Sequence, residues 1–229
     1  MLFSDTRYAL RGLRKSPAFT FAAVATLALG IGANTAIFSV VNAEMLRLVP
    51  YPDPGRLVWV AERNDKLHLA TWSASLLNYL SWKEQSQSFD QLGAIGYTVY
   101  NLTGQGDPEL VTGCTLTPSI FPLLGIQPTH GRAFQEREDR PGSPAVAIIS
   151  ENLWKRRFAG DPALIGRTIQ LNDVPTMIVG VAPASLALVA VGDIWTPLTV
   201  DRAKEIRLNH LLSAVGRLKP GVSLSQAQA

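Results

Sequence analysis

Residues 145–181 read AVAIISENLWKRRFAGDPALIGRTIQLNDVPTMIVGV, and this stretch decides the fold class. Ala145 to Ile149 is a compact apolar run of strand length. Ser150 follows as a helix cap, the segment to Phe158 reads as a short helix, and Gly160 stops it. Arg167–Leu171 and Thr176–Val181 then have strand composition. They meet at Asn172-Asp173, a tight-turn pair because both residue types tolerate the left-handed region. Strand, helix and hairpin in immediate succession predict a mixed α/β (α+β) domain.

Working outward, the same alternation continues on both sides. Leu211 to Leu218 reads as a strand, Pro220-Gly221 turns it, and Ser223-Leu224-Ser225-Gln226 has the capping-box pattern that opens a helix. An element therefore begins close to Ala229, which leads us to expect the front part of a longer, C-terminally truncated protein. Upstream, Thr117-Pro118 reads as a cap and first-turn proline for SIFPLL, with Gly125 closing the helix. Ser75 to Phe89 reads as a helix with Leu76, Leu77 and Leu80 on one side, and Leu57–Ala61 and Leu92–Leu102 as strands.

Before the turn-rich break at residues 50–55 the composition changes. From Ser16 to Ala43 there are 28 residues without Asp, Glu, Lys, Arg or His. As a helix this run would be ~42 Å long against a hydrocarbon core of ~30 Å, enough to span a bilayer once. A cleaved signal peptide competes, with Val41-Asn42-Ala43 as a loose cleavage site, but its apolar region is normally only ~7–15 residues. A buried core helix competes less well, because the run has no polar face. Arg7, Arg11, Arg14 and Lys15 precede the run and Glu44 follows it, so the positive-inside rule puts the N-terminus in the cytoplasm and residues 44–229 outside. Residues 1–15 form an amphipathic segment suited to the inner leaflet. Within the span, Ala22, Thr26 and Gly30, with Gly32 and Ala36 beside them, form a small-residue stripe on which another membrane helix would pack.

Charge and motif content exclude several classes. The net charge of +3 lies wholly in the first fifteen residues, since the remaining 17 basic and 17 acidic residues cancel. No basic face remains for nucleic acid. Cys114 is the only cysteine, so there is no disulfide framework and no CxxC pair, and it reads as a small buried residue. His68, His130 and His210 stand far apart and read as surface or turn histidines. GxSxG and GxxxxGK[ST] are absent, so neither a hydrolase nor an ATP-binding loop is expected, and no cofactor or metal site emerges. Arg132, Glu136, Arg137, Glu138, Asp139 and Arg140 read as a solvated mixed-charge loop.

Residues 5–43, DTRYALRGLRKSPAFTFAAVATLALGIGANTAIFSVVNA, resemble the first membrane helix of MacB-like ABC-transporter permeases, in the branch encoded apart from its ATPase. Downstream, YPDPGRLV, NYLSWKEQSQSFDQLGA, PSIFPLLGIQPTHGRAF, ISENLWKRRFAGDPALIGRTIQLNDVPTMIVGVAP and GRLKPGVSLSQAQA resemble successive blocks of that family's periplasmic core domain. The family often has Asn-Gly where Asn172-Asp173 stands. The resemblance implies a non-enzymatic permease subunit of a bacterial inner membrane, with an extracytoplasmic domain spanning residues 44–229. It further implies a βαβ subdomain of about 51–105 and 210–229, with a mixed subdomain of about 106–209 inserted. Implied partners are membrane lipid, a second copy, a separate cytoplasmic ABC ATPase and a periplasmic partner protein. ATP-driven motion would pass to the outer domain, whereas the later FtsX-like membrane helices have no counterpart here. The competing expectation is a single-pass anchored binding or sensor protein with a complete outer domain. An anchored hydrolase would need a nucleophile and base converging in one cleft.

Overall fold

Small apolar runs punctuated by turn formers cut the described part of the chain into many short elements. The computed structural model describes residues 50–64, 69–104, 106–202 and 205–228, together with Phe21. The small-residue stripe and the basic residues Arg7, Arg11, Arg14 and Lys15 lie outside the described residues, as does His68. Among the described residues no helix is long and apolar enough to cross a membrane.

The first strands are β1 (Leu57–Val60), β2 (Glu62–Asn64), β3 (Leu69–Trp72), β4 (Ala74–Ser75), β5 (Phe89–Thr103) and β6 (Glu109–Leu116). They are followed by β7 (His130–Gly131), β8 (Val146–Ser150), β9 (Thr168–Leu171), β10 (Val174–Ala182), β11 (Ile194–Pro197) and β12 (His210–Leu218). The helices are α1 (Leu76–Gln85), α2 (Ile120–Leu124), α3 (Glu151–Phe158) and α4 (Leu224–Ala227).

Among the described residues ten strands share one sheet, in the order β1-β12-β5-β6-β11-β8-β10-β7, with β4 beside β12 and β9 bridging β10 and β5. The strands β2 and β3 form a separate antiparallel pair. Within the large sheet β8 runs parallel to β10 and β11 parallel to β6, while the other pairings are antiparallel. The fold is therefore mixed α/β, as the strand–helix–hairpin alternation of residues 145–181 requires.

Side-chain alternation assigns a core to each face. On β5, Leu92 and Ala94 face α1, packing with Leu76 and Tyr79 and with Leu212 and Ala214 of β12. Tyr100 and Leu102 share their parity and pack with Leu153, Trp154 and Phe158 of α3. Ile95 points the other way, onto α2, where Ile120, Phe121, Leu123 and Leu124 are fully buried. Helices thus cover both faces of the sheet.

The local expectations hold in the main. Ser150 Oγ accepts the Leu153 amide at 2.9 Å and caps α3. Asn172 and Asp173 both take positive φ, 51° and 62°, in the turn joining β9 to β10. The capping box at Ser223 and Gln226 is formed. Two expectations are corrected, and one strand had no expectation. The N-cap position of α2 is Ser119, which makes no side-chain cap hydrogen bond and donates instead to Leu92 O at 2.8 Å, while Thr117 Oγ1 accepts the Ala94 amide at 2.9 Å. The helix predicted to reach Phe89 ends at Gln85, where Ser86 turns extended and Phe89 joins β5, opposite Leu218. The segment Glu109–Leu116, which has no clean alternation because Gly113 and Cys114 interrupt it, is a full strand. Gly113 is required there: a Cβ would lie 2.0 Å from Ile194 O of the neighbouring strand.

Candidate functional site

A cleft of about 860 Å³ opens between α1, the start of β5, the approach to α2 and the segments 134–140 and 198–202. Its size falls in the range of small-ligand pockets, roughly 300–1,000 Å³. Aromatic walls come from Tyr79, Trp82, Phe89 and Phe134. Tyr79 is held in place by its hydroxyl, which donates to Leu92 O at 3.2 Å, and burial raises the pKa of its phenol. Phe134 packs edge-on to Phe121 of α2, with ring centroids 5.9 Å apart.

The charged rim is built by the loop that the sequence presents as a solvated mixed-charge run. The structure folds part of that run inward. Glu138 accepts both guanidinium nitrogens of Arg132, at 2.6 and 3.1 Å, and also the Gln135 amide at 2.8 Å. Its side chain is only 11% exposed, because the loop closes around this fork. Asp139 lines the cleft, and burial lifts its carboxyl above the ordinary carboxylate range against the opposing pull of Lys83 and Arg140. Its carbonyl accepts the Val200 amide at 2.8 Å, tying the 198–202 segment across the opening. Arg202 continues that tie by pairing with Glu84 of α1.

The histidines separate. His130 is exposed on β7, with its ring 4.6 Å from Trp154. His210 departs from the expected surface position: its side chain is 9% exposed and its Nε2 lies 3.0 Å from Glu62 Oε2. Its Nδ1 lies 2.9 Å from Leu208 O, and Trp72 stacks on it at 4.2 Å. The other oxygen of Glu62 accepts Ser75 N and Asn78 Nδ2, so this cluster pins the β2–β3 pair to the start of α1. No spacing rule finds it, since Glu62 and His210 are 148 positions apart.

Elsewhere Cys114 is fully buried, as expected, and its thiol donates to Val191 O at 3.2 Å. Burial pushes that thiol up to about 11, leaving almost no thiolate at neutral pH. Tyr100 edges a smaller cleft of about 280 Å³ and meets Thr196 Oγ1 at 2.8 Å, with its phenol pushed by burial up to about 12. Among the described residues no group of three or more His, Cys, Asp or Glu side chains is placed to hold a metal ion. The large cleft offers aromatic surface and balanced charge, which suits non-covalent binding.

Residues 20–229 match the family model described as MacB-like periplasmic core domain. The chain is 28% identical over 114 residues to the macrolide export ATP-binding/permease protein MacB of Burkholderia thailandensis, covering 48% of this chain and 17% of that protein. The corresponding protein of Burkholderia pseudomallei is 28% identical over 107 residues, covering 44% of this chain and 16% of that protein. The match thus spans under a fifth of these relatives. Among solved structures, the periplasmic region of MacB from Actinobacillus actinomycetemcomitans superposes with a TM-score of 0.57 at 14% identity, over 75% of this chain and 78% of that one. The extracellular domain of the ABC-type transporter YknZ from Gram-positive bacteria gives 0.53 at 13% identity, over 75% and 85%.

Proposed function

The chain belongs to the family of MacB-like periplasmic core domains, and from that premise we propose that it is the extracytoplasmic part and first membrane helix of an ABC-transporter permease. Residues 1–15 lie at the inner leaflet, residues 16–43 cross the bilayer, and residues 44–229 work outside. Within the outer part, residues of about 51–105 and 210–229 form one subdomain and about 106–209 the other. The stripe at Ala22, Thr26, Gly30, Gly32 and Ala36 packs on other membrane helices, and Arg7, Arg11, Arg14 and Lys15 set the topology.

In this reading two copies assemble with a separate cytoplasmic ABC ATPase. Closure of the ATPase moves the membrane helices, and the outer domain transmits that movement to substrates or to a partner protein in the periplasm. The chain itself makes and breaks no covalent bonds. One observation carries the reading: the family match begins at residue 20, inside the uncharged stretch, and extends to residue 229. Apolar stretch and outer domain therefore belong to one unit of the family.

The large cleft favours a second reading, an anchored binding or sensor protein that needs no ATPase. The two separate in one experiment. The tagged protein, together with any further membrane helices its gene encodes, is extracted from membranes in detergent and purified with whatever it holds. Recovery of an ABC ATPase subunit whose hydrolysis rate changes when the chain is removed is the expected result. A chain that leaves the membrane fraction without detergent, or purifies with no ATPase, would overturn the transporter reading.

A further inference from the structure

The chain passes from its N-terminal part into the sheet through residues 51–56, and four kinds of attachment hold this short segment. Tyr51 is 5% exposed in the core beside α2, and its hydroxyl donates to Ser185 O at 2.5 Å. Pro52 lies against Gly125, where an added Cβ would come within 2.7 Å of its ring. Arg56 donates from Nε to Leu218 O at 2.8 Å. The fourth attachment is Arg217, buried at 7% exposure on β12 with Leu57 of β1 and Gln91 of β5 paired on either side.

Its guanidinium has three backbone acceptors. Nε donates to Leu123 O at the end of α2 at 2.8 Å, and Nη1 donates to Pro52 O at 2.8 Å and Asp53 O at 3.4 Å. Among the described residues no carboxylate pairs with it. A buried cation committed to neutral carbonyls is costly unless the fork geometry is needed, and here one rigid group joins a strand, a helix and the leading segment.

We infer that Arg217 is the positioning residue that makes residues 51–56 rigid with the sheet, so that displacement of the chain entering the domain reaches α2 and β12 and is not absorbed in the turn. The inference rests on the force-transmitting reading for its purpose, and on the geometry above for the clamp itself. Without the guanidinium, the side-chain hydrogen bonds that remain from this segment among the described residues are those of Arg56 to Leu218 O and Tyr51 to Ser185 O, and Pro52 and Asp53 lose the Arg217 donor.

The test uses the protein in its membrane assembly, with any further membrane helices its gene encodes. Pro52 and Pro54 carry no amide proton, so the reporters are the amides of Arg56, which donates to Asp53 O at 3.0 Å, and Leu57, which donates to Pro54 O. In Arg217→Met, exchange at these two amides is expected to quicken roughly ten- to a hundredfold, with the amides of Ala147–Ile149 in β8 unchanged. Arg217→Lys keeps the charge without the fork and is expected to lie between, and it serves if the Met variant does not fold. No change at Arg56 and Leu57, or an equal change in β8, would overturn the clamp. Spin labels on Lys155→Cys in the two copies then report ATP-dependent movement. That movement should shrink in Arg217→Met at an unaltered ATPase rate, and movement of full amplitude there would overturn the transmitting role. If the unsubstituted assembly shows no ATP-dependent movement, the force-transmitting reading fails, while the exchange result still decides the clamp.

Discussion

Tyr51 and Tyr100 place phenols where deprotonation is resisted, and burial pushes both up to about 12. An unfolded tyrosine titrates near 10, so above that pH the unfolded chain releases protons that the folded chain retains. Each residue therefore contributes stability that is complete below about pH 10 and is lost as the pH rises towards 12. The melting temperature should fall steeply over that window. In Tyr51→Phe and Tyr100→Phe the fall should be shallower, although each variant starts lower near neutrality because it loses the hydroxyl's bond to Ser185 O or Thr196. A melting profile as steep in both variants as in the parent chain would refute this. Single residues with a local job were readable in the sequence. The caps at Ser150 and Ser223 and the left-handed pair Asn172-Asp173 act within a few positions of themselves. Arg217 and His210 were not readable, because their partners lie 94 and 148 positions away.

Between elements, the demanding junction is the parallel contact of β6 with β11. Gly113 pairs with Ile194, and the missing side chain lets the two backbones meet. Gly113→Ala puts a methyl group against a carbonyl oxygen that belongs to the sheet, so relief requires the strands to separate. A loss of about 1–3 kcal/mol is expected from overpacking of this kind, measured by denaturant unfolding with an unchanged m-value. A loss under half of that would mean that β11 can shift without cost. The same glycine explains why β6 escapes a pattern-based reading: Gly113-Cys114 breaks the alternation that marks a strand. β8 and β10, by contrast, announce themselves by continuous apolar runs, since helices and loops cover both of their faces.

For the molecule as a whole, topology is the consequence most open to direct test. Lys155 sits on α3 with its side chain 68% exposed, so a cysteine there is reachable without disturbing the core. In intact cells Lys155→Cys should react with a membrane-impermeant maleimide from outside, and reaction only after the cytoplasm is opened would reverse the proposed orientation. What the sequence determined by itself is whatever short-range chemistry dictates: the uncharged run at 16–43, the caps and turns, the apolar strands, the mixed α/β class and the ordered blocks of family likeness. Which strands become neighbours was decided only in three dimensions. The order β1-β12-β5-β6-β11-β8 brings the last strand between the first and the fifth, and this is what places Arg217 against Pro52 and His210 against Glu62. Pairing across such separations depends on how complementary faces close over a shared core. Local propensity carries no information about that closure, because the free energy that selects it is released only when distant segments exclude water together.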